Sequence, residues 1–388
     1  MSNSVYELTM PSFGADMDQG LILEWRVKSG DKINKGQVIA VIETQKGAID
    51  FEAYTDGQVE ELLVSEDQTV QVGTPIARLT GKIDVNAVTD PVIPTETERK
   101  PSQPVPQTSS HQPSSSYANL SRHSATPYAR HLAKHAGINL TEVTGSGPAG
   151  AILSRDIKKA HHTPHSPSKD SMREAIAAAL SRSKREIPHY YLETTIDVQR
   201  ADDWVHEFNR DLPPDQQILL NALFHCAVAK ALRKVPEFNG FYLDGHFSES
   251  SEVHLATGIS IRSGGLISPA ILNADQLAPA EMMSQLKDLS DRVRNGGLRS
   301  TEMTLATATL SSMGDRGVEK LFGIIYPPQV ALIGIGKPTV RPWVVGSEVK
   351  PRLLVTASLA ADHRATDGRQ GARFLNQLGK LLQKPENL

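Results

Sequence analysis

The stretch Asp362-His363-Arg364-Ala365-Thr366-Asp367-Gly368 follows a strand-like run at 352–358 and precedes an amphipathic helical stretch at 370–383. The apolar face of that stretch is predicted to consist of Ala372, Phe374, Leu375, Leu378 and Leu382. A histidine can take up a proton near neutral pH, and neighbouring carboxylates can fix its tautomer and orientation. Loops at strand ends commonly carry catalytic side chains on a rigid scaffold. The stretch therefore predicts a strand, loop and helix with His363 as a candidate base. Position alone does not separate this role from a structural one.

The surrounding segment, residues 171–388, alternates helical and strand-like runs. Helices are predicted at 172–184, 218–234, 278–293 and 370–383, and strands at 191–198, 253–262, 303–311, 330–335 and 352–358. Both periodicities in one segment indicate an α/β domain. Because several strands follow one another near the end without regular βαβ alternation, we expect a mixed sheet with helices mainly on one face.

The first 82 residues contain an internal repeat with a shift of 37 residues. The shift superimposes Val27, Ile33, Gly36, Ile39 and Ala40 on Val64, Val70, Gly73, Ile76 and Ala77. A repeated strand, turn and strand predicts an all-β domain of two packed sheets with pseudo-twofold symmetry. The polar run 43–48 lies between strand-like segments, and it predicts a hairpin turn with Lys46 at its tip.

Two linkers are predicted at 83–121 and 161–170, where prolines and polar residues replace apolar periodicity. The histidines of the second linker lack carboxylate or cysteine partners, so no metal site is expected. Between the linkers, 122–160 predicts a small helical domain. Its Gly145–Gly150 run matches G-x-G-x-x-G, but it lacks a βαβ context and Pro148 removes a backbone donor. We interpret it as a tight loop.

Composition excludes several classes of function. The chain has 388 residues and a formal net charge of -3, which disfavours general binding to nucleic acids or acidic membranes. It has no apolar run of about 20 residues and no signal-like N-terminus, so we expect a protein of the cytoplasm. The single cysteine, Cys226, lies in an apolar run and is interpreted as a buried small hydrophobe. Disulfides are excluded.

The turn around Lys46, with Met10-Pro11 and Val27–Asp31 upstream, resembles the lipoyl domains of 2-oxo acid dehydrogenase complexes. It departs from them at Gln45 and Gly47. It is less similar to biotin-carrier domains, which have methionines on both sides of the lysine. The resemblance implies lipoate attached covalently to Lys46 by a lipoate-attaching ligase, and the biotin alternative remains separable by the mass of the adduct.

The run Thr126–Arg130, followed by Gly137-Ile138 and Gly145–Pro148, resembles the peripheral subunit-binding domain of the same complexes. The resemblance implies that Arg130 and Lys134 contact partner enzymes, although a solvated helix face is the plain alternative. A third basic position of that family is Ala151 here. This difference implies docking that is weaker or differently selective.

The run His363–Gly368 resembles the H-x-x-x-D-G signature shared by dihydrolipoamide acyltransferases and chloramphenicol acetyltransferase. Five further stretches support this resemblance: 187–190, 236–239, 265–269, 309–314 and 327–329. The chain departs from the family at Ala365-Thr366, where two valines are common, and at Ser312, where asparagine is usual. The three modules occur in the family's order, which implies a multidomain acyltransferase with a chloramphenicol-acetyltransferase-like catalytic domain.

The resemblance also implies the chemistry. His363 would remove the proton from a thiol of coenzyme A or dihydrolipoamide, and the thiolate would attack a thioester carbonyl. Ser311 would donate to the oxyanion, with Ser312 as the alternative, and both could instead only cap the strand end. Asp367 would hold the loop or orient His363. Arg364 would pair structurally with a carboxylate, and no metal is required.

In the family that the chain resembles, catalytic domains form homotrimers with the active site between subunits, and the trimers build a larger core. The implied partners are a 2-oxo acid decarboxylase and a dihydrolipoyl dehydrogenase. The first linker, about 38 residues, has a coil dimension of ~35 Å and a reach of ~130 Å, which suits a travelling lipoyl domain. Acetyl is the default acyl group in a pyruvate-type or acetoin complex. Succinyl or branched-chain transfer, and a non-catalytic scaffold, remain alternatives.

Overall fold

The computed structural model describes residues 4–13, 17, 19–44, 47–81, 125, 129–130, 143–147, 151–153, 156, 169–260 and 266–388, without the side chains of 169–175 and 315. The chain divides into two compact units, Met1–Val92 with Pro167–Leu388, and Ile93–Ser166. Among the described helices, none combines the length and the apolar character needed to cross a membrane.

The N-terminal domain is built from eight strands. They are β1 Ser4–Thr9, β2 Gln19–Trp25, β3 Lys32–Ile33, β4 Val38–Thr44, β5 Gly47–Glu52, β6 Gly57–Leu62, β7 Gln68–Gln71 and β8 Pro75–Gly81. One sheet has the order β1-β8-β6-β3, and the other has the order β5-β4-β2-β7. Buried Phe13, Ile22, Phe51 and Ile76 belong to the domain's apolar core. The two sheets predicted from the sequence are confirmed.

The internal repeat is visible in the structure as a repeated turn. Gly36 and Gly73, which the shift superimposes, have φ values of 81° and 84°. Residues with a side chain rarely adopt this left-handed backbone conformation, so both copies of the turn require glycine. The apolar residues that the shift pairs, including Val27 with Val64 and Ile39 with Ile76, are buried in both copies.

The C-terminal domain has six helices and twelve strands in its described part. In chain order they are α1 Lys169–Glu186, β9 His189–Asp197, α2 Gln199–Asn209, α3 Leu220–Lys234, β10 Gly240–Leu243, β11 His246–Glu249, β12 Leu255–Thr257, β13 Ile259–Ser260, β14 Leu266–Ile267, β15 Ala270–Ile271, α4 Pro279–Asn295, β16 Leu298–Arg299, α5 Ser300–Thr304, β17 Ala308–Ser312, β18 Ala331–Ile335, β19 Thr339–Val345, β20 Glu348–Asp362 and α6 Gly368–Leu382. Its central sheet has the order β15-β12-β17-β18-β20-β19, and β9 also pairs with β20.

The central sheet is mixed, as predicted. β12, β17 and β18 run parallel, whereas β20 runs antiparallel to β18. One apolar cluster contains residues of α2, α3, α4 and α6 together with Leu310 of β17, Ile333 of β18 and Leu359 of β20. These three strand residues lie side by side in the sheet. Because side chains alternate across a sheet, one face packs against these helices. The expectation of helices mainly on one face is confirmed.

Three details of the predicted elements were wrong. The strand expected at 303–311 begins only at Ala308, because Met303 and Thr304 belong to α5, where Glu302 accepts a bond from the N–H of Arg299 and caps the helix. The strand expected at 253–262 is divided into β12 and β13, and its last two residues lie outside the described part. Ala372, assigned to the apolar face of α6, is exposed.

Candidate functional site

The loop after β20 is organised around Asp362, whose side chain is fully buried. Its backbone carbonyl accepts hydrogen bonds from the N–H groups of Ala365 and Thr366, at 3.1 and 3.0 Å. Its carboxylate accepts bonds from the Arg364 N–H at 2.9 Å, from Nε at 3.0 Å and from Nη2 at 2.7 Å. This bonding raises the pKa of Arg364. The predicted structural pairing of Arg364 with a carboxylate is confirmed.

His363 lies at the tip of this loop and is exposed in the single chain. Its backbone N–H donates to the Pro188 carbonyl at 3.0 Å. Its ring meets the edge of the Tyr190 ring, with 5.2 Å between the ring centres. The Tyr190 hydroxyl in turn donates to the Asp367 carbonyl at 2.8 Å, and burial raises the pKa of Tyr190. The start of β9 therefore fixes the histidine loop from one side.

Asp367 caps the N-terminus of α6. Its carboxylate accepts bonds from the N–H groups of Arg369 and Gln370 at 2.9 and 3.0 Å. The Gln370 side chain accepts the Asp367 N–H at 2.9 Å and completes a capping box. Of the two roles expected for Asp367, the structure shows the holding of the loop.

Ser311 lies near the C-terminal end of β17, at the opposite end of the strands from His363. The strand register places Ser311 beside Gly334, and Gly334 beside Ser358. His363 is five residues beyond Ser358, a distance of about 17 Å along the strand at about 3.3 Å per residue. The structure therefore does not bring Ser311 and His363 together within one chain.

Ser311 and Ser312 face opposite sides of the sheet, because side chains alternate along a strand. Leu310 belongs to the core that packs against the helices, so Ser312 shares that face. Ser311 shares the other face with Thr309, whose hydroxyl bonds to Gln329 at 2.6 Å. The Ser312 hydroxyl accepts the N–H of Gly314 at 3.2 Å. The two serines are therefore not interchangeable.

Two aromatic side chains near the loop, His189 and Tyr242, were not assigned a role from the sequence. The ring of His189, directly opposite Asp362 in the strand pairing, donates from Nδ1 to the Ile187 carbonyl and accepts the Ile325 N–H at Nε2. Burial lowers the pKa of His189. The guanidinium of Arg364 lies 4.1 Å from the ring centre of Tyr242. The 187–190 stretch was noticed as a motif, whereas Tyr242 carried no sequence signal.

Two other features lie outside the loop that carries His363. Cys226 is buried in α3, and burial raises the pKa of its thiol to about 12, so the prediction of a buried hydrophobe is confirmed. A groove of about 380 Å³ is lined by residues of α2, α4 and the segment that follows α2. Neither Ser311 nor His363 lines this groove.

The predicted attachment residue Lys46 lies outside the described residues, but the strands that flank it are described. β4 and β5 pair up to Thr44 and Gly47, so residues 45 and 46 connect the two strands of a hairpin. The Thr44 hydroxyl donates to the Gly47 carbonyl at 3.0 Å across this connection. The strands predicted on either side of Lys46 are therefore confirmed.

The small central domain is described only in part. Arg130 is exposed at a helical position, and its Nε donates to the Ala125 carbonyl at 3.2 Å, whereas Lys134 lies outside the described residues. Near the predicted tight loop, the buried Asp156 carboxylate accepts bonds from the N–H groups of Ser146 and Leu153. Ala125 also pairs with Ile152. These contacts fit a structured loop.

Three family models match the chain in succession. Residues 6–79 match the biotin and lipoyl attachment model, described as biotin-requiring enzyme, and residues 124–158 match the e3 binding domain. Residues 162–388 match the catalytic domain of the 2-oxoacid dehydrogenases acyltransferase family. The chain belongs to this acyltransferase family. It is an enzyme with an N-terminal lipoyl domain.

Relatives of this acyltransferase resemble it over its whole length. The dihydrolipoyllysine-residue acetyltransferase component of the pyruvate dehydrogenase complex of Rickettsia bellii (strain RML369-C) is 30% identical, and the alignment covers 98% of this chain and 97% of the relative. The expectations of a transferase, of covalent lipoate and of coenzyme A as substrate agree with this likeness.

Two solved structures resemble the C-terminal domain of the acyltransferase. One is the dihydrolipoamide acetyltransferase of Azotobacter vinelandii, studied for the role of one serine, one histidine and one asparagine in its catalytic mechanism. The other is the cubic core of the pyruvate dehydrogenase multienzyme complex. Each is 26% identical, has a TM-score of 0.52 and covers 55% of this chain and 88% of the other.

Proposed function

We propose that the acyltransferase moves acetyl groups between coenzyme A and a lipoyl group on Lys46, as the core of a pyruvate dehydrogenase-type complex. The observation that carries the proposal is the match to the Rickettsia bellii acetyltransferase over 98% of this chain. When attached, the lipoyl group supplies the dithiol that holds the acetyl group. The chain's own residues take the proton from the attacking thiol and stabilise the oxyanion.

The spacing of three residues supports their roles. In the Azotobacter vinelandii enzyme the serine and histidine under study are 52 residues apart, and the histidine and asparagine are four apart. Ser311, His363 and Asp367 have the same two separations. This spacing favours Ser311 over Ser312, and it aligns Asp367 with an asparagine that has a similar shape and the same capping ability.

His363 acts as the general base in this proposal. It takes the proton from the attacking thiol, because the thiolate is the nucleophile, and the thiolate then attacks the thioester carbonyl. The tetrahedral intermediate collapses with cleavage of the donor's C–S bond, and the departing thiolate receives the proton back from His363. The Asp362–Arg364 pair, the Pro188 carbonyl and Tyr190 hold the histidine loop in place for that step. General-base help of this kind supplies about 10²- to 10⁴-fold in rate.

Ser311 donates a hydrogen bond to the oxyanion of the tetrahedral intermediate, and it comes from a neighbouring subunit. The placement of Ser311 and His363 at opposite ends of the strands of one sheet supports this assignment, since one chain alone cannot present both to the same carbonyl. Closed trimers supply each site with a histidine from one subunit and a serine from the next. The trimers then build a larger core in the bacterial cytoplasm.

The proposed domain boundaries are those of the sequence analysis: 1–82, 122–160 and 171–388, joined by linkers. Arg130 and Lys134 present positive charge to the dihydrolipoyl dehydrogenase and the decarboxylase component. The exposed position of Arg130 in the described structure supports this role. A lipoate-attaching ligase modifies Lys46.

The proposal is tested by supplying the lipoylated enzyme with free dihydrolipoamide and three donors: acetyl-CoA, succinyl-CoA and isobutyryl-CoA. We expect acetyl transfer to have the highest kcat/KM. A higher value with either longer donor would retain the transferase and replace the acetyl assignment. Inactivity with all three donors would favour the non-catalytic scaffold.

A further inference from the structure

The lipoyl domain contacts the catalytic domain through paired strands. β16 lies parallel to β5, with Leu298 beside Ile49 and Arg299 beside Asp50. β5 is the edge strand of its own sheet, so β16 extends that sheet by one strand. Addition of a strand to an open edge is a common mode of recognition, in which main-chain bonds give affinity and side chains give specificity.

Glu52, the last residue of β5, provides the side-chain part of this contact. Its N–H donates to the Ser300 hydroxyl at 3.0 Å, and its carboxylate accepts the Thr301 hydroxyl at 2.6 Å. Arg299 Nε lies 4.0 Å from the other carboxylate oxygen. Glu52 is only 5% exposed, and a buried carboxylate is costly without such partners.

The catalytic domain holds its side of the contact in place with its own bonds. Glu302 accepts the N–H of Arg299 at 2.9 Å and bonds to both terminal nitrogens of Arg292 at 2.5 and 2.6 Å. These bonds involve no lipoyl residue. The segment Leu298–Thr304, named here the docking segment, is therefore organised before the lipoyl domain binds, which lowers the ordering cost of binding.

The docking segment leads directly to the end of the central sheet's strands where His363 lies. It is followed by β17, in which Thr309 lies beside Leu332, and Leu332 lies beside Ala360. Ala360 is three residues before His363. Ser311, in contrast, lies towards the opposite end of these strands. The contact thus brings the lipoyl domain to the catalytic domain on the histidine side of the sheet.

We infer that the docking segment is the site where the catalytic domain receives the lipoyl domain, and that Glu52 is the residue by which it recognises that domain. The inference rests on the proposed function, since the dock serves the proposed acetyl transfer. The strand pairing involves two residues on each side, so the dock is small. Small interfaces suit transient encounters, and the lipoyl domain must leave to visit other enzymes.

The position of the dock is tested by cross-linking in the full-length protein prepared without lipoate. Paired residues on adjacent strands are about 5 Å apart at Cα, within disulfide range. D50C with R299C should form a reducible cross-link under oxidised glutathione at least about tenfold faster than D50C with K350C, where Lys350 is exposed in the β19–β20 hairpin. Native Cys226 is buried and does not compete.

A cross-link within one chain or between two chains supports the dock, since the lipoyl domain can serve its own or a neighbouring subunit. Equal rates for the two cysteine pairs would overturn the inference. This result does not depend on any acyl transfer, so its failure is separable from failure of the proposed function.

The role of Glu52 is tested by single-turnover acetylation of the protein's own reduced lipoyl group from acetyl-CoA. E52A should slow this reaction about tenfold, equivalent to about 1.4 kcal/mol, and leave the acetylation of free dihydrolipoamide unchanged. The matched variant E60A changes an exposed glutamate on β6 of the same domain and should alter neither rate. Loss of both reactions in E52A, or of neither, would contradict the assignment.

Discussion

At the scale of single residues, one buried carboxylate determines the shape of the loop that carries His363. Asp362 bonds through its carboxylate to Arg364 and through its carbonyl to two N–H groups of the same loop. A buried charge is retained at low cost only when it is paired in this way. The result is a short loop in which His363 is exposed while Asp362 and Thr366 are buried.

The two serines of β17 give a matched test of the oxyanion donor. Loss of one such donor lowers kcat by about 10²- to 10³-fold in other enzymes. S311A should show a loss of this size with little change in KM, whereas S312A, which faces the helix-covered side of the sheet, should change kcat less than about threefold. Similar losses in both variants would contradict the assignment to Ser311.

The candidate residues could be selected from the sequence, but their arrangement in space could not. His363, Arg364 and Asp367 are adjacent in sequence, so their association in one loop follows from local contacts. The separation of Ser311 from His363 depends on strand register, which a single sequence does not encode locally. Tyr242 reaches Arg364 from a distant hairpin, and no pattern in its neighbourhood indicates this contact.

At the scale of elements, Asp367 acts as the N-cap of α6. Substitutions of Asp367 should separate the effect of its hydrogen bonds from the effect of its charge. D367N retains an oxygen that can accept the bonds of Arg369 and Gln370. It should keep most activity and stability. D367A should lose about 1 kcal/mol of the free energy of unfolding and lower kcat, because the loop beside His363 loosens. Chemical denaturation and the transfer assay measure the two effects, and equal behaviour of the variants would contradict the capping role.

The helix α3 contains a titratable group whose burial should make stability depend on pH. Burial lowers the pKa of His225 to about 4, and its ring lies between the Asn221 carbonyl and the Thr257 hydroxyl. Below its unfolded pKa of about 6.5, the unfolded chain takes up a proton that the folded chain does not. The free energy of unfolding should therefore fall by up to about 3 kcal/mol as the pH falls from 6.5 to 4.

H225Q removes this titration and leaves His254, the second buried histidine of the described residues, in place. Calorimetric unfolding midpoints at pH 7, 6 and 5 should show the variant gaining on the wild type as the pH falls. A difference between the two proteins that is constant across this range would show that His225 does not contribute.

The elements themselves were predicted unevenly, for physical reasons. The lipoyl sheets followed from a repeat whose turns require glycine at Gly36 and Gly73. The helix α5 was mistaken for the start of a strand, because its capping by Glu302 and its burial between domains outweigh the strand-like run at 303–311. The helix α2 was missed, and its two buried positions, Ala201 and Val205, gave little periodic signal.

At the scale of the whole molecule, a site shared between subunits predicts complementation. S311A and H363A assemblies should each be nearly inactive. Mixed assemblies, made by co-expression with different tags, should regain about a quarter of wild-type activity, since random mixing gives one site in four both working residues. The control is a mixture of the two preformed assemblies. Inactive mixed assemblies of confirmed composition would place both residues of each site in one subunit.

The central claim is that His363 is the base for acyl transfer, and one comparison tests it most directly. The formation of S-acetyldihydrolipoamide from acetyl-CoA and free dihydrolipoamide is measured for the wild type and H363A at matched assembly state. The account predicts that the variant loses about 10²- to 10⁴-fold in kcat while its fold and assembly are retained. A variant that retains wild-type kcat would contradict the account.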